Sequence, residues 1–315
     1  TYMDATQGWI PTTDDDVADV PIPPPQTPYG IFGFGQESSY EGYTNLVSNT
    51  GVVASDVTAV GTARGYLGAC EYGYDKGIFG FGYTGSVTGV TNLVSNTGVV
   101  ASDVAAVGTA RYVKGATYGA NKGIFAFGYS IATGRVSTRN LVSSTGVVAT
   151  DAAGAGTLRS YPAACEFGTD KDKAIFGFGE DASGATGVTN LVSNTGVVAS
   201  DVAAVGTGRW APAACDYGDD KGIFGFGVDD GVNVSITNLV SNTGVVASDQ
   251  AATTGTVRGY LAACEYGNDK GIFGFGNAGG TKYGVTNLVS TTGVVSTDVA
   301  AVGTARNTLA ACSYG

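Results

Sequence analysis

The chain has 315 residues, among them 51 Gly and 8 Pro, with 10% aromatic residues and a formal net charge of −11. That length buries a core as one repeat domain or two ordinary ones, and the Gly has no period of three, which excludes collagen. The acidic balance argues against nucleic acid, because phosphate backbones are bound through Lys/Arg surfaces that displace counterions. The absence of His removes the usual general base, metal ligand and pH switch together.

In chain order, residues 1–28 stand apart. They carry Asp14-Asp15-Asp16 and the run Pro21-Ile22-Pro23-Pro24-Pro25, expected to be an extended spacer and a possible anchor to a protein partner in an assembly. From residue 29 a single unit recurs. I-F-G-F-G begins at Ile31, Ile78, Ile175, Ile223 and Ile272, and I-F-A-F-G at Ile124, at intervals of 47, 46, 51, 48 and 49 residues. N-L-V-S follows each time, at Asn45, Asn92, Asn140, Asn190, Asn238 and Asn287.

Within one period, Ser241–Gly244 has the composition of a hairpin turn. Val245–Ser248 begins a strand, and Arg258–Tyr266 makes another, whose small side chains suit the crowded axis of a ring. Lys270–Gly276 and Val285–Ser290 complete four strands. No window has a helical period. Four strands per 46–51 residues match one propeller blade. The expected fold is therefore all-β: a six-bladed β-propeller of four-stranded antiparallel blades over residues 29–315. The first unit opens inside a blade at Tyr29 and the last stops at Gly315. The N- and C-terminal strands are thus expected to pair and close the ring.

The unit resembles the kelch motif. I-F-G-F-G is similar to its glycine-ended strand, N-L-V-S-N-T-G-V-V-x-x-D to its Asp-bearing hairpin, and G-T-x-R to its small-residue stretch around an Arg. The second Gly is displaced by Phe, and the outer-strand Trp is absent, the two Trp being Trp9 and Trp210. Near-identical arrays of this kind also resemble repeat proteins of bacteriophage particles. Kelch-type oxidases would need copper on His ligands, which this chain lacks. Sialidases would need an Arg cluster, a Tyr nucleophile and a carboxylate on one face, whereas the Arg here are repeated ones.

A catalytic set is asymmetric, so residues repeated six times read as structure. Asp56, Asp103, Asp151, Asp201, Asp249 and Asp298, with Arg64, Arg111, Arg159, Arg209, Arg258 and Arg306, are expected to pair and brace turns, each Asp with the Arg eight or nine residues on or with one from an adjacent blade. Cys70, Cys165, Cys215, Cys264 and Cys312 occur one per unit and read as small buried apolar residues. Glu71, Glu166, Asp216 and Glu265 follow four of them; solvated charge is the ordinary reading, a hard cation at the channel the other. No cofactor is expected. Free thiols, no visible signal peptide and no membrane-length apolar stretch fit a reducing cytoplasm.

The segment after I-F-G-F-G differs between units, and variable loops on a rigid scaffold are where recognition resides. The candidate binding residues are Tyr40, Tyr43, Tyr83, Tyr129, Arg135, Asp181, Asp229, Asp230 and Tyr283. The expected function is non-enzymatic: a binding or structural scaffold, in the manner of a phage fibre, spike or capsid-surface protein. The alternatives are a carbohydrate-binding lectin or adhesin and, behind it, a glycosidase.

Overall fold

The computed structural model describes residues 28–58, 61–251 and 255–315. The proline run, the Asp triplet and Trp9 lie outside the described residues. Among the described residues there is no helix, and no segment is a helix long and apolar enough to cross a membrane. The strands form nine antiparallel sheets, one of four strands, five of three and three of two.

Each larger sheet runs from a small-residue strand through the I-F-G strand to the N-L-V strand. The first comprises Ala310–Tyr314, Tyr29–Gly33, Tyr43–Val47 and Val57–Thr58; the second Gly68–Tyr72, Lys76–Tyr83 and Val87–Val94. The third comprises Tyr112–Tyr118, Lys122–Ser130 and Gly134–Val142; the fourth Ala163–Phe167, Lys173–Gly177 and Thr189–Val192. The fifth comprises Ala213–Tyr217, Lys221–Gly225 and Thr237–Val240; the sixth Ala262–Tyr266, Lys270–Gly274 and Thr286–Val289. In the first sheet the two ends of the repeat region meet, from Tyr29 opposite Tyr314 to Gly33 opposite Ala310.

The expected fourth strand forms only there, and only as the two residues Val57–Thr58. Elsewhere it shrinks to two isolated bridges, such as Val94 with Val100 and Thr91 with Val104. The N-L-V Asn explains why: Asn92 Nδ2 donates to the Ala101 carbonyl at 3.0 Å, a side-chain bond at a point where a regular ladder would use a backbone donor.

Ile31 and Phe32 are neighbours in sequence and point to opposite faces, yet both are fully buried. Each sheet is therefore covered on both sides by its neighbours. Two contacts set the spacing. A Cβ on Gly33 would sit 2.6 Å from the Phe79 ring of the next sheet, and one on Gly30 would sit 2.6 Å from Cys264 Sγ of the previous sheet. The first contact recurs at Gly80, Gly177, Gly225 and Gly274, the second at Gly77, Gly123, Gly222 and Gly271. The thiols are thus buried packing groups, none in a disulfide.

Backbone hydrogen bonds link the six sheets in series and return to the first. Gly73, Gly119, Gly168, Gly218, Gly267 and Gly315 donate to Asn121, Asp172, Asp220, Asp269, Pro28 and Asp75. At the other end Gly35, Gly82, Gly128, Gly179, Gly227 and Gly276 donate to the carbonyls of Arg64, Arg111, Arg159, Arg209, Arg258 and Arg306. The small-residue strands contact each other in the same cyclic order and enclose an axial space, lined from all six at its acidic end and again at its Ala-rich middle.

The two ends differ. One carries the S-x-T-G turns, in which Ser48 Oγ accepts from the Thr50 and Val52 N–H groups, packed beside the Tyr-Gly turns (Gly51 against Tyr266, Gly98 against Tyr314). The other carries the variable segments. Three of these fold back as two-stranded hairpins, and bridges such as Ser160 with Glu180 and Trp210 with Val228 set them against the residues that follow each repeated Arg.

Candidate functional site

The repeated charges form a buried network. Arg306 is fully buried. Its Nε donates to the Phe34 carbonyl (2.7 Å), Nη1 to the Thr304 carbonyl (3.1 Å) and Nη2 to Asn45 Oδ1 (2.6 Å). Its guanidinium carbon lies 4.3 Å from the Phe275 ring centroid, close enough for a cation–π contact. Asn45 Nδ2 passes the connection on to Asp56 Oδ1 (2.9 Å), and Asp56 Oδ2 accepts the Thr304 N–H and hydroxyl. Burial pulls the Arg306 pKa down to about 10, so it stays charged at neutral pH. For Asp56, burial pushes the carboxyl up, but hydrogen bonds from Thr304 and Asn45 outweigh it and hold the group below its usual range.

Sequence neighbours are not the partners. Asp201 faces Arg159, not Arg209, and Arg209 in turn faces Asp249. The reason is phase: the Arg that precedes a small-residue strand belongs to the same sheet as the Asp some 39 to 42 residues later, as the Thr157–Asp201 and Thr207–Asp249 bonds show. Nor is the contact a close salt bridge. Arg306–Asp56 is 3.7 Å, and Arg111–Asp151 and Arg258–Asp298 are 3.9 Å. Asn45, Asn92, Asn140 and Asn287 mediate it. In the fourth and fifth sheets Asn190 Oδ1 and Asn238 Oδ1 accept nothing. A polar Asn placed before the apolar Leu-Val pair on every N-L-V strand was the sequence signal for this role.

At the variable end, residues just after the repeated Arg converge over the axis. Tyr66, Tyr161, Ala211, Tyr260 and Thr308 all adopt the left-handed backbone (φ 51° to 57°). The repeated core Phe from Phe34 to Phe275 share this conformation (φ 58° to 63°), so the position of these residues over the axis is what singles them out. Their N–H groups link around the mouth: Tyr66 to Thr308, Thr308 to Tyr260, Tyr260 to Ala211 and Ala211 to Tyr161. The rings of Tyr66 and Tyr112 stack at 4.7 Å, and Tyr161 lies 5.8 Å from Tyr260 and 6.0 Å from Trp210. Beneath them is a small cavity that also reaches Lys114. Burial lowers the Lys114 pKa to about 8, and the group has no ion pair among the described residues.

The loop candidates divide. Tyr40, Tyr83 and Tyr129 join this cluster, through Tyr40–Tyr83 (5.7 Å), Tyr83–Tyr112 (5.5 Å) and Tyr112–Tyr129 (5.9 Å). Tyr43 opens a strand and Tyr283 donates its N–H to Gly276; neither touches another ring among the described residues. Arg135 pairs with Glu180 at 2.9 Å, and the Asp181 carboxylate caps the Ser183 N–H. Asp229 sits in a hairpin and Asp230 in its exposed turn at φ 42°. The mouth residues were overlooked because the expectation placed all variation after I-F-G-F-G. The positions after G-T-x-R also vary, as Gly-Tyr, Tyr, Ser-Tyr, Trp-Ala, Gly-Tyr and Asn-Thr.

At the opposite end the acidic residues are not solvated charge. Glu166, Asp216 and Glu265 are 6%, 6% and 3% exposed, because they line the axial cavity with Glu71, Thr117 and Ser313. Lys171 enters this ring, with its Nζ 2.9 Å from Asp216 and also on Glu265. It comes from a turn two residues longer than the others, T-D-K-D-K, which contributes to the 51-residue interval. Burial pushes Glu71 up to about 7, with repulsion from Asp216 added, and pushes Glu166 and Glu265 well above the usual range. For Lys171 burial acts downward, but Asp216, Glu265 and Glu166 overcome it and raise the group. No family model and no curated protein matches the chain.

Proposed function

We propose that the chain is a non-enzymatic binding scaffold, a six-bladed β-propeller that displays a selective face on a rigid repeated body. The observation that carries this reading is the division of labour between residues. Those repeated six times are consumed in the Arg–Asn–Asp network and the Gly-to-Phe and Gly-to-Cys contacts. Most of those that differ gather at one end, around the mouth tyrosines, with Lys171, Thr117 and Ser313 the exceptions at the other. The cyclic order of inter-sheet hydrogen bonds and the meeting of residues 29–33 with 310–314 support the ring form.

A role within a larger assembly, such as a bacteriophage particle, fits a symmetric opposite end offering six near-equal turns for docking. A carbohydrate ligand is the second reading, favoured by the half-buried Tyr and Trp rings at the mouth, which offer flat apolar surfaces beside hydroxyl groups. Exchanging residues 129–138 and 228–236 for the sequence of 83–90 should leave folding intact and abolish selective binding, read on a glycan array and by co-purification from assembled particles. Binding that survives this exchange and is lost on altering the S-N-T-G turns would place recognition at the other end. Absence from every particle preparation would remove the assembly role.

A further inference from the structure

The acidic end of the axial cavity is unused by that reading. Glu71, Glu166, Asp216 and Glu265 bring four carboxyl groups to a cavity of about 50 Å³, above the about 10–15 Å³ that one water-sized sphere needs. Lys171 supplies a single ammonium and spends it on Asp216 and Glu265. Glu166 is 6% exposed and makes no hydrogen bond or ion pair among the described residues. A carboxylate buried in this way without a partner is costly unless a cation or a proton joins it.

The remaining geometry selects among cations. One carboxylate oxygen from each of Glu71, Glu166 and Glu265 lies within 4.8 Å of the other two. Calcium takes about 6–8 oxygen ligands in flexible geometry and accepts several carboxylates, whereas magnesium is usually held through only one or two carboxylates and keeps its waters, so three converging carboxylates favour calcium. Glu71, Thr117, Glu166, Asp216, Glu265 and Ser313 each bring a side-chain oxygen to the ring, which suits a hard ion. Thr117 Oγ1 accepts the Glu71 N–H (3.1 Å), and Ser313 Oγ donates to the Glu265 carbonyl (3.1 Å), which fixes both hydroxyls beside the carboxylates. The negative charge that would hold a cation comes from the three glutamates, which are the primary ligand set.

We propose that Glu71, Glu166 and Glu265 bind one divalent cation of the calcium type on the axis, beside Lys171. The ion ties the second, fourth and sixth sheets together at the end opposite the aromatic mouth. Lys171 limits its affinity by repulsion and by competing for Glu265.

The test uses the full chain, stripped with chelator and titrated with calcium chloride by calorimetry and by thermal unfolding. One ion per chain and a melting temperature that climbs with calcium are expected, with magnesium at the same concentration giving a smaller shift. Glu166→Gln should weaken calcium at least tenfold, while Glu37→Gln, at an exposed loop, should leave it unchanged. Lys171→Gln keeps every carboxylate and should tighten binding several-fold, which guards against reading a folding defect as lost affinity. In crystals soaked with calcium, the ion should lie about 2.3–2.6 Å from these carboxylate oxygens. No heat and no melting shift, equal binding by Glu166→Gln, weaker binding by Lys171→Gln, or an ion found only elsewhere would each overturn the proposal.

Discussion

Placing a methyl group on Gly222 tests whether the thiol-to-glycine contact sets the distance between sheets. The added Cβ would stand 2.6 Å from Cys165 Sγ, far inside the about 3.5–4.0 Å of a favourable nonbonded contact. Overpacking of this kind costs about 1–3 kcal/mol. Ala in place of Gly within a strand returns about 0.5–1 kcal/mol of backbone entropy. Gly222→Ala should therefore lose about 1–2 kcal/mol net, the balance of those two terms. Cys165→Ala alone should cost about 1 kcal/mol for the small void it leaves. Together they should cost less than their sum, because the second change removes the atom the first one strikes. The chain already carries such a pair: in the fourth sheet Ala174 stands where the others have Gly, and the facing strand has Ala116 in place of Cys, both in one buried cluster. Urea unfolding of the two single variants and the double variant gives the coupling, provided the denaturant slopes agree. A coupling energy below about 0.5 kcal/mol would show independent sites and refute the spacing argument.

Asn92→Ala should destabilise by about 2–4 kcal/mol, since it strands a buried guanidinium and a carboxylate. Asn190→Ala should cost clearly less, because Asn190 Oδ1 accepts nothing; equal losses in urea titrations would count against the relay. Removal of residues 308–315 deletes the strand opposite Tyr29–Gly33, and an unchanged melting temperature would exclude ring closure through it. Burial pushes all five thiols up, so Ellman's reagent should find none in the native chain and five after denaturation; prompt native reaction would contradict the packing. The carboxyls of Asp56, Asp103, Asp151, Asp201, Asp249 and Asp298 are held below 3.8. Their contribution is therefore present above that pH and lost as pH falls through the lower folded values. Melting scans between pH 5 and pH 2 should show it, and Asp103→Asn should flatten the slope.

The strand order of the sheets was legible because identical residues recur at one spacing. The all-β class, the antiparallel sheets and the small-residue strand at the axis follow from I-F-G, N-L-V and A-A-C alone. Pairing between charges was not legible at the right distance. Asp201 and Arg209 are eight residues apart in sequence, but the intervening chain passes from one sheet to the next, which separates them. The buried acidic ring was misread for a related reason. An acidic residue after Cys looks solvated on a single strand, and only six strands converging on one axis bury it. Lys171 was beyond reach of any repeat argument, since its insertion occurs once.

Departures from the repeat therefore carry more information than the repeat. Most concentrate on the third sheet, which has Lys114, Gly115, Ala116 and Thr117 where its neighbours carry small residues, Cys and an acid. Its strands Lys122–Ser130 and Gly134–Val142 are also the longest, and they lift Tyr129 and Arg135 to the rim. Replacing Glu by Thr117 leaves an asymmetric charge ring, and the lone Lys114 puts a positive group beneath the mouth tyrosines. A ligand entering that mouth thus meets aromatic rings first and a single amine below them. If the tyrosines and Lys114 act as one site, Lys114→Met should lower affinity for a carboxylated ligand and spare its neutral analogue, with the fold unchanged by far-UV circular dichroism. An equal loss for both ligands would assign Lys114 to packing under the rings instead of recognition.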